Sequence, residues 1–171
     1  MKIKELRARR VWDSRGRPTV EVEAVNADGS WGLGIAPAGA SRGTREAVEL
    51  RDGGARLGGL DVQRALDGIR REIAPALVGR AVADQEGIDA ALIALDGTPD
   101  KSRLGGNALI AVSLAVLHAA AAHARVPLWR HLAGERPVRL PVPQIQIFGG
   151  GAHAGRRVDV QDFMVIATGA R

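Results

Sequence analysis

Thr19-Val20-Glu21-Val22-Glu23-Ala24-Val25 alternates apolar and polar side chains strictly enough to be a half-buried strand, and what flanks it decides the fold. Asn26-Ala27-Asp28-Gly29-Ser30 follows, and its Asp-Gly pair is a hairpin turn signal before a third run, Trp31 to Ile35. Upstream, apolar residues recur among charges from Ile3 to Val11, and the loop Asp13-Ser14-Arg15-Gly16-Arg17-Pro18 joins that run to the second. Three antiparallel strands in a meander are therefore predicted at the start of the chain.

Helical patterns come next. Pro37-Ala38-Gly39-Ala40-Ser41-Arg42-Gly43-Thr44 is a small-residue loop, expected to be mobile because its glycines reach backbone angles closed to other residues. Thr44 is placed to cap a short helix over Arg45–Arg51, stopped by Gly53 and Gly54. Asp61 is placed to cap a second through about Ile73, with Val62, Leu66 and Ile69 on one face before Pro75. Gln85 to Leu95 is a third, aligning Ile88, Leu92 and Leu95. The longest apolar stretch, Ala108 to Ala124, is shorter than the roughly 20 residues a bilayer crossing takes, so it reads as a buried helix. Asn107 is its expected cap, His118 and His123 are expected to pack, and Asp96 is expected to be a cap or turn residue. A short helix, Pro127 to Leu132, closes the series.

Composition narrows the function. The absence of Cys excludes disulfides and thiolate metal sites. The net charge of +5 comes almost wholly from Arg, since Lys occurs only at positions 2, 4 and 101. The Arg residues are scattered among acids rather than gathered in a run, which argues against nucleic acid as the main partner. Aromatics are 3% of the chain, too few for a base-stacking platform. No apolar stretch near the start can serve as a signal peptide, so a cytoplasmic location and no membrane partner are expected.

After Gly134-Glu135-Arg136-Pro137 the texture changes. Pro141 to Phe148 reads as a short strand ended by Gly149–Gly151, and Gln161 to Ile166 as another. A boundary near Arg136 is expected, with an α+β domain over 1–136 and a second region over 137–171 too short to make a core alone.

Three stretches resemble the enolase family, in order: Asp13-Ser14-Arg15-Gly16-Arg17-Pro18-Thr19-Val20-Glu21-Val22, Leu95-Asp96-Gly97-Thr98-Pro99-Asp100-Lys101-Ser102, and Gly106-Asn107-Ala108 running into Val112-Ser113-Leu114-Ala115. A fourth, Gly150-Gly151-Ala152-His153-Ala154-Gly155 with Gln161-Asp162-Phe163-Met164, falls where an enolase barrel begins. The resemblance implies an α+β cap, a three-stranded antiparallel meander followed by a helical bundle, plus the first strands of an incomplete (β/α)8-like barrel. It implies Mg2+ as cofactor, a small phosphorylated acid as substrate and a homodimer. In the family reaction a lysine removes the proton from carbon 2 of 2-phosphoglycerate, magnesium ions stabilise the enolate, and hydroxide leaves carbon 3 to give phosphoenolpyruvate.

Ser41 matches the serine whose oxygens close onto the second magnesium, so it is the candidate metal ligand. His153 matches a histidine that approaches substrate on a closing loop. Gln161 and Asp162 match a glutamine and a glutamate on the next strand, making His153 and Gln161 candidate substrate-binding residues and Asp162 the candidate catalytic acid. Arg42, a candidate substrate-binding residue, stands where the family usually has threonine, a permanent cation with the reach to grip an anionic group or else to point to water. Four further departures lie nearby: Ala38 and Ala152 stand where serines are usual, Gly149 stands where asparagine is usual, and Asp162 is one bond shorter than the usual glutamate. No Lys and no cluster of acids follows Gly151, where only Asp159 and Asp162 occur, so this stretch by itself is expected to be inactive. Three roles fit: an ordinary phosphopyruvate hydratase, an enolase-like paralogue retuned toward a phosphonate or related phosphorylated hydroxy acid, or a non-catalytic interaction and dimerisation domain.

Overall fold

A computed structural model describes residues 1–39 and 43–169, without the side chain of His153. The chain divides into two compact units, the first comprising Met1–Ala38 and Thr44–Gly134 and the second containing residues 135–169.

In the first unit, β1 (Ile3–Trp12), β2 (Pro18–Asn26) and β3 (Trp31–Ile35) form an antiparallel sheet in the order β1-β2-β3. The register sets Ala8 opposite Val22 and Glu23 opposite Leu33. Val20, Val22 and Ala24 therefore point to one face and are fully buried, while Glu21 and Glu23 point to the other and pair with Arg9 and Arg7. The meander expected from the alternation is present.

Helices cover the apolar face. After a 3-10 turn at Arg56–Gly59, α1 (Gln63–Gly68) runs through a π-turn at Ile69–Ile73 into α2 (Ala74–Leu77). Next come α3 (Gln85–Asp96), α4 (Gly106–His123) and α5 (Leu128–Ala133). Helix α4 is apolar and long enough to span a bilayer by composition, yet 61% of its apolar window is buried inside the unit, as in a core helix. It lies directly on β2 and β3. Gly32 and Gly34 permit that approach: a Cβ at Gly34 would fall 2.1 Å from the Ala111 carbonyl oxygen, and one at Gly32 would fall 2.2 Å from the Ala119 nitrogen.

Several local expectations are corrected. Residues 47–53 form neither helix nor strand, so the expected helix is absent. Their backbone groups find distant partners instead: Val48 N–H donates to the Asp100 carbonyl at 2.7 Å, and the Val48 carbonyl accepts from Gly106 N–H at 2.8 Å. Tertiary pairing thus overrides a modest local helix preference. Asp61 does not cap α1. Its fully buried carboxylate accepts from Arg10 at 2.7 Å, pairs with Arg56 at 2.9 Å and accepts from Val62 N–H at 2.9 Å. The Arg10 hydrogen bond is the main reason its pKa sits below the usual carboxylate range. The free N–H groups of α1 are met by Asp52, eleven residues before Gln63, which accepts from Gln63 N–H at 2.8 Å and Arg64 N–H at 2.9 Å.

The helix also continues past Pro75. A proline removes one backbone donor and crowds the preceding turn, and the wider π-turn just upstream accommodates both effects. Asn107 lies inside the first turn of α4, where its carboxamide donates to the Leu50 carbonyl and accepts from Leu50 N–H, both at 3.1 Å. It clamps the 47–53 segment rather than capping its own helix. His118 and His123 are exposed, because α4 turns those positions away from the sheet, and His123 Nδ1 lies 2.7 Å from Asp28 Oδ2. Asp96 organises a turn as expected, accepting from Thr98 N–H at 3.0 Å and Leu104 N–H at 2.7 Å.

The second unit contains one hairpin, β4 (Gln144–Gly149) with β5 (Asp162–Ile166), linked through a 3-10 turn at Gly151–Ala154. The two strands are antiparallel, a pairing sense that strand positions alone left open.

Candidate functional site

Two of the five candidates, Ser41 and Arg42, lie outside the described residues, as does the side chain of His153. Gln161 and Asp162 are placed, and the backbone around them shows how their end of the hairpin is built.

Gly150 N–H donates to the Gln161 carbonyl at 2.6 Å and Gly151 N–H to the Val158 carbonyl at 2.7 Å, drawing the turn after β4 against the start of β5. A Cβ at Gly150 would fall 2.1 Å from the Val160 carbonyl oxygen, so no other residue fits there. The result brings the backbone of the His153 turn beside the segment carrying Gln161 and Asp162.

Asp162 is held on both carboxylate oxygens. Gln146 Nε2 donates to Oδ1 at 2.7 Å, and Gln161 Nε2 donates to Oδ2 at 3.3 Å. Gln161 is thus committed in part to its neighbour rather than free for a ligand. Gln146 was not among the candidates. Its only sequence signal is a polar side chain within Gln144-Ile145-Gln146-Ile147, which solvent exposure explains equally well.

The entrance to the Pro37–Thr44 loop is also fixed by residues that sequence reasoning passed over. Thr19 Oγ1 donates to the Ala36 carbonyl at 2.7 Å, and Arg15 Nη1 donates to the Ala38 carbonyl at 3.0 Å. Arg15 is itself positioned by Asp13, which accepts from Arg15 N–H at 2.8 Å and Arg17 N–H at 2.9 Å. Those backbone donors, Arg17 foremost, hold the Asp13 carboxyl below its ordinary pKa.

A hard divalent cation takes six or more oxygen ligands, usually including several carboxylates. Among the described residues, no group of three or more His, Asp or Glu side chains comes together. Asp162 already accepts two amide donors, so the described residues do not by themselves fit magnesium. Grooves of about 260 Å3 and 300 Å3 occur in the first unit, the former bordered by Arg64, Arg71 and Arg103, and neither includes a candidate residue.

The chain was compared with models of known families. The model described as "Enolase, N-terminal domain" matches residues 3–132, and that described as "Enolase, C-terminal TIM barrel domain" matches residues 137–171.

Proposed function

Because the chain belongs to the enolase family, whose N-terminal-domain model alone matches well over half of it, we propose that it serves a lyase converting 2-phosphoglycerate to phosphoenolpyruvate, as in glycolysis. The observation that carries this reading is the tethered end of the β4–β5 hairpin, which sets the His153 turn beside Gln161 and Asp162. An imidazole and a carboxamide suit hydrogen bonds to phosphate or hydroxyl oxygens. A carboxyl group beside them is suited to trading a proton with a leaving hydroxyl. Removing a proton next to a carboxylate needs fixed positive charge for the enolate. The proposed cation is Mg2+, with Ser41 its one proposed ligand in this chain and Arg42 a further contact to the substrate anion. A cytoplasmic homodimer without nucleic-acid or membrane partners completes the reading.

The second reading is a paralogue acting on a phosphonate or related phosphorylated hydroxy acid, favoured by Ala38, Arg42, Ala152 and Asp162 where the family usually has serine, threonine, serine and glutamate. The deciding experiment incubates the protein as the cell produces it with magnesium and either 2-phosphoglycerate or a phosphonate analogue, and follows the ultraviolet absorbance of the enol product. Formation of phosphoenolpyruvate supports the first reading. Turnover of the phosphonate alone replaces it with the second, and inertness toward both favours the interaction role.

A further inference from the structure

Asp162 has one bond fewer than the acid usual in the family, so its carboxylate stops short, and the hairpin contains a feature that fills the gap. Residues pair Gln146 with Met164, Phe148 with Phe163 and Gly149 with Asp162, leaving Ile147 as an extra residue in β4. Such a bulge re-aims the neighbouring side chains. Here Gln146 Nε2 comes within 2.7 Å of Asp162 Oδ1, although the two residues are not directly opposite.

Room for this reach comes from Gly149. It sits directly across from Asp162, and a Cβ on it would lie 2.9 Å from Gln146 Nε2. The stacked rings of Phe148 and Phe163, 4.3 Å apart between centroids, hold the two strands together beside the contact. The bulge, the missing side chain and the long amide therefore converge on one carboxylate.

We infer that Gln146 is a positioning residue, which sets where the Asp162 carboxylate sits and so compensates for the shorter acid. The inference rests on reading Asp162 as the site acid. Gln146 makes no contact with substrate in this account. It acts by keeping Oδ1 in one orientation, and catalytic geometry is sensitive at the scale of a fraction of an ångström.

Two measurements test it. The first is the side-chain amide resonance of Gln146, read by NMR in the unaltered chain and in Asp162→Ala. A clear shift on removing the carboxylate is expected, and an unchanged resonance overturns the pairing whatever the substrate proves to be. The second is kinetic, on the protein as the cell produces it with 2-phosphoglycerate and magnesium. Gln146→Leu is expected to lower kcat by about 10- to 100-fold with KM little changed. Gly149→Ala should act in the same direction, since the added methyl crowds the end of the Gln146 side chain at 2.9 Å and touches the Gln161 carbonyl oxygen only at an ordinary 3.6 Å.

The length-exchange pair is the sharpest arm. Gln146→Asn and Asp162→Glu should each lower kcat, while the double variant keeps the summed reach and should recover most of the loss. A double variant no better than the worse single one overturns the inference. If the unaltered protein does not dehydrate 2-phosphoglycerate, the substrate reading fails and the amide resonance alone decides the pair.

Discussion

One carboxamide, that of Asn107, supplies both hydrogen bonds that the backbone of Leu50 needs in a buried place. Asn107→Ala would leave a buried N–H and a buried C=O without partners, and each such group costs about 1–3 kcal/mol. A loss of that order is expected, measured by urea unfolding. Asp28 carries a prediction about pH. Hydrogen bonds from Ser30 first, then His123, lower its pKa from the ordinary 3.8 to about 2. A carboxyl whose folded pKa is depressed contributes stability that is fully present above its unfolded pKa and is lost as pH falls through the folded value. The contribution of Asp28 should therefore hold above about pH 4 and fade toward pH 2. Melting temperatures of the unaltered protein and Asp28→Asn should differ at pH 6 and converge near pH 2; an equal gap at both pH values would refute the assignment. The sequence marked Asp28 as a turn residue, but neither its contact with His123 nor the Asn107 clamp was legible beforehand. Asn and Asp serve turns, caps and long-range bonds with the same atoms, and local sequence does not say which partner arrives.

Among the elements, α4 depends on two absences of side chain in β3. Gly34→Ala would drive a methyl into the backbone of residues 111–115, which cannot move aside without shifting the helix. A loss of about 1–3 kcal/mol or more is expected, because overpacking a filled interface costs that much. Gly29→Ala is a poor control, since its φ of 85° strains any side chain. Helix α1 depends on a cap from another segment. Asp52→Ala removes acceptors for two N–H groups and should cost about 0.5–2 kcal/mol, the usual range for an N-cap. Asp61→Ala tests the alternative, since its carboxylate serves Arg10 and Arg56. If Asp61→Ala frayed α1 by hydrogen exchange and Asp52→Ala did not, the assignment would be reversed. The periodicities of β2 and α3 were readable because a face buried along a whole element imprints its period on many residues, and α4 was readable as a long apolar run. The 47–53 segment was not, because its conformation is held by Asp100, Gly106 and Asn107, more than fifty residues away.

Across the whole molecule, the buried apolar core of the described residues falls between Ile3 and Ala121, while Ile145, Ile147 and Val165 in the second unit stay about half exposed. A chain ending at Gly134 is accordingly expected to unfold in one cooperative step at the same urea midpoint as the 171-residue chain; a markedly lower midpoint would show that the later residues stabilise the first unit. Alternation in Thr19–Val25 and the Asp-Gly turn were enough to determine the meander, the long apolar run was enough for the buried helix, and the ordered enolase-like stretches carried the family resemblance, since each rests on many positions of local sequence. The candidates His153, Gln161 and Asp162 came as a set from the enolase-like motif that contains them. Which atoms meet was decided only by the tertiary structure: Gln146 on Asp162, Asp52 on α1, Asn107 on Leu50 and Asp28 on His123. Each is one or two hydrogen bonds between groups eleven or more residues apart in the chain. One contact leaves no period or spacing behind it, and its partner is chosen by how the elements come together.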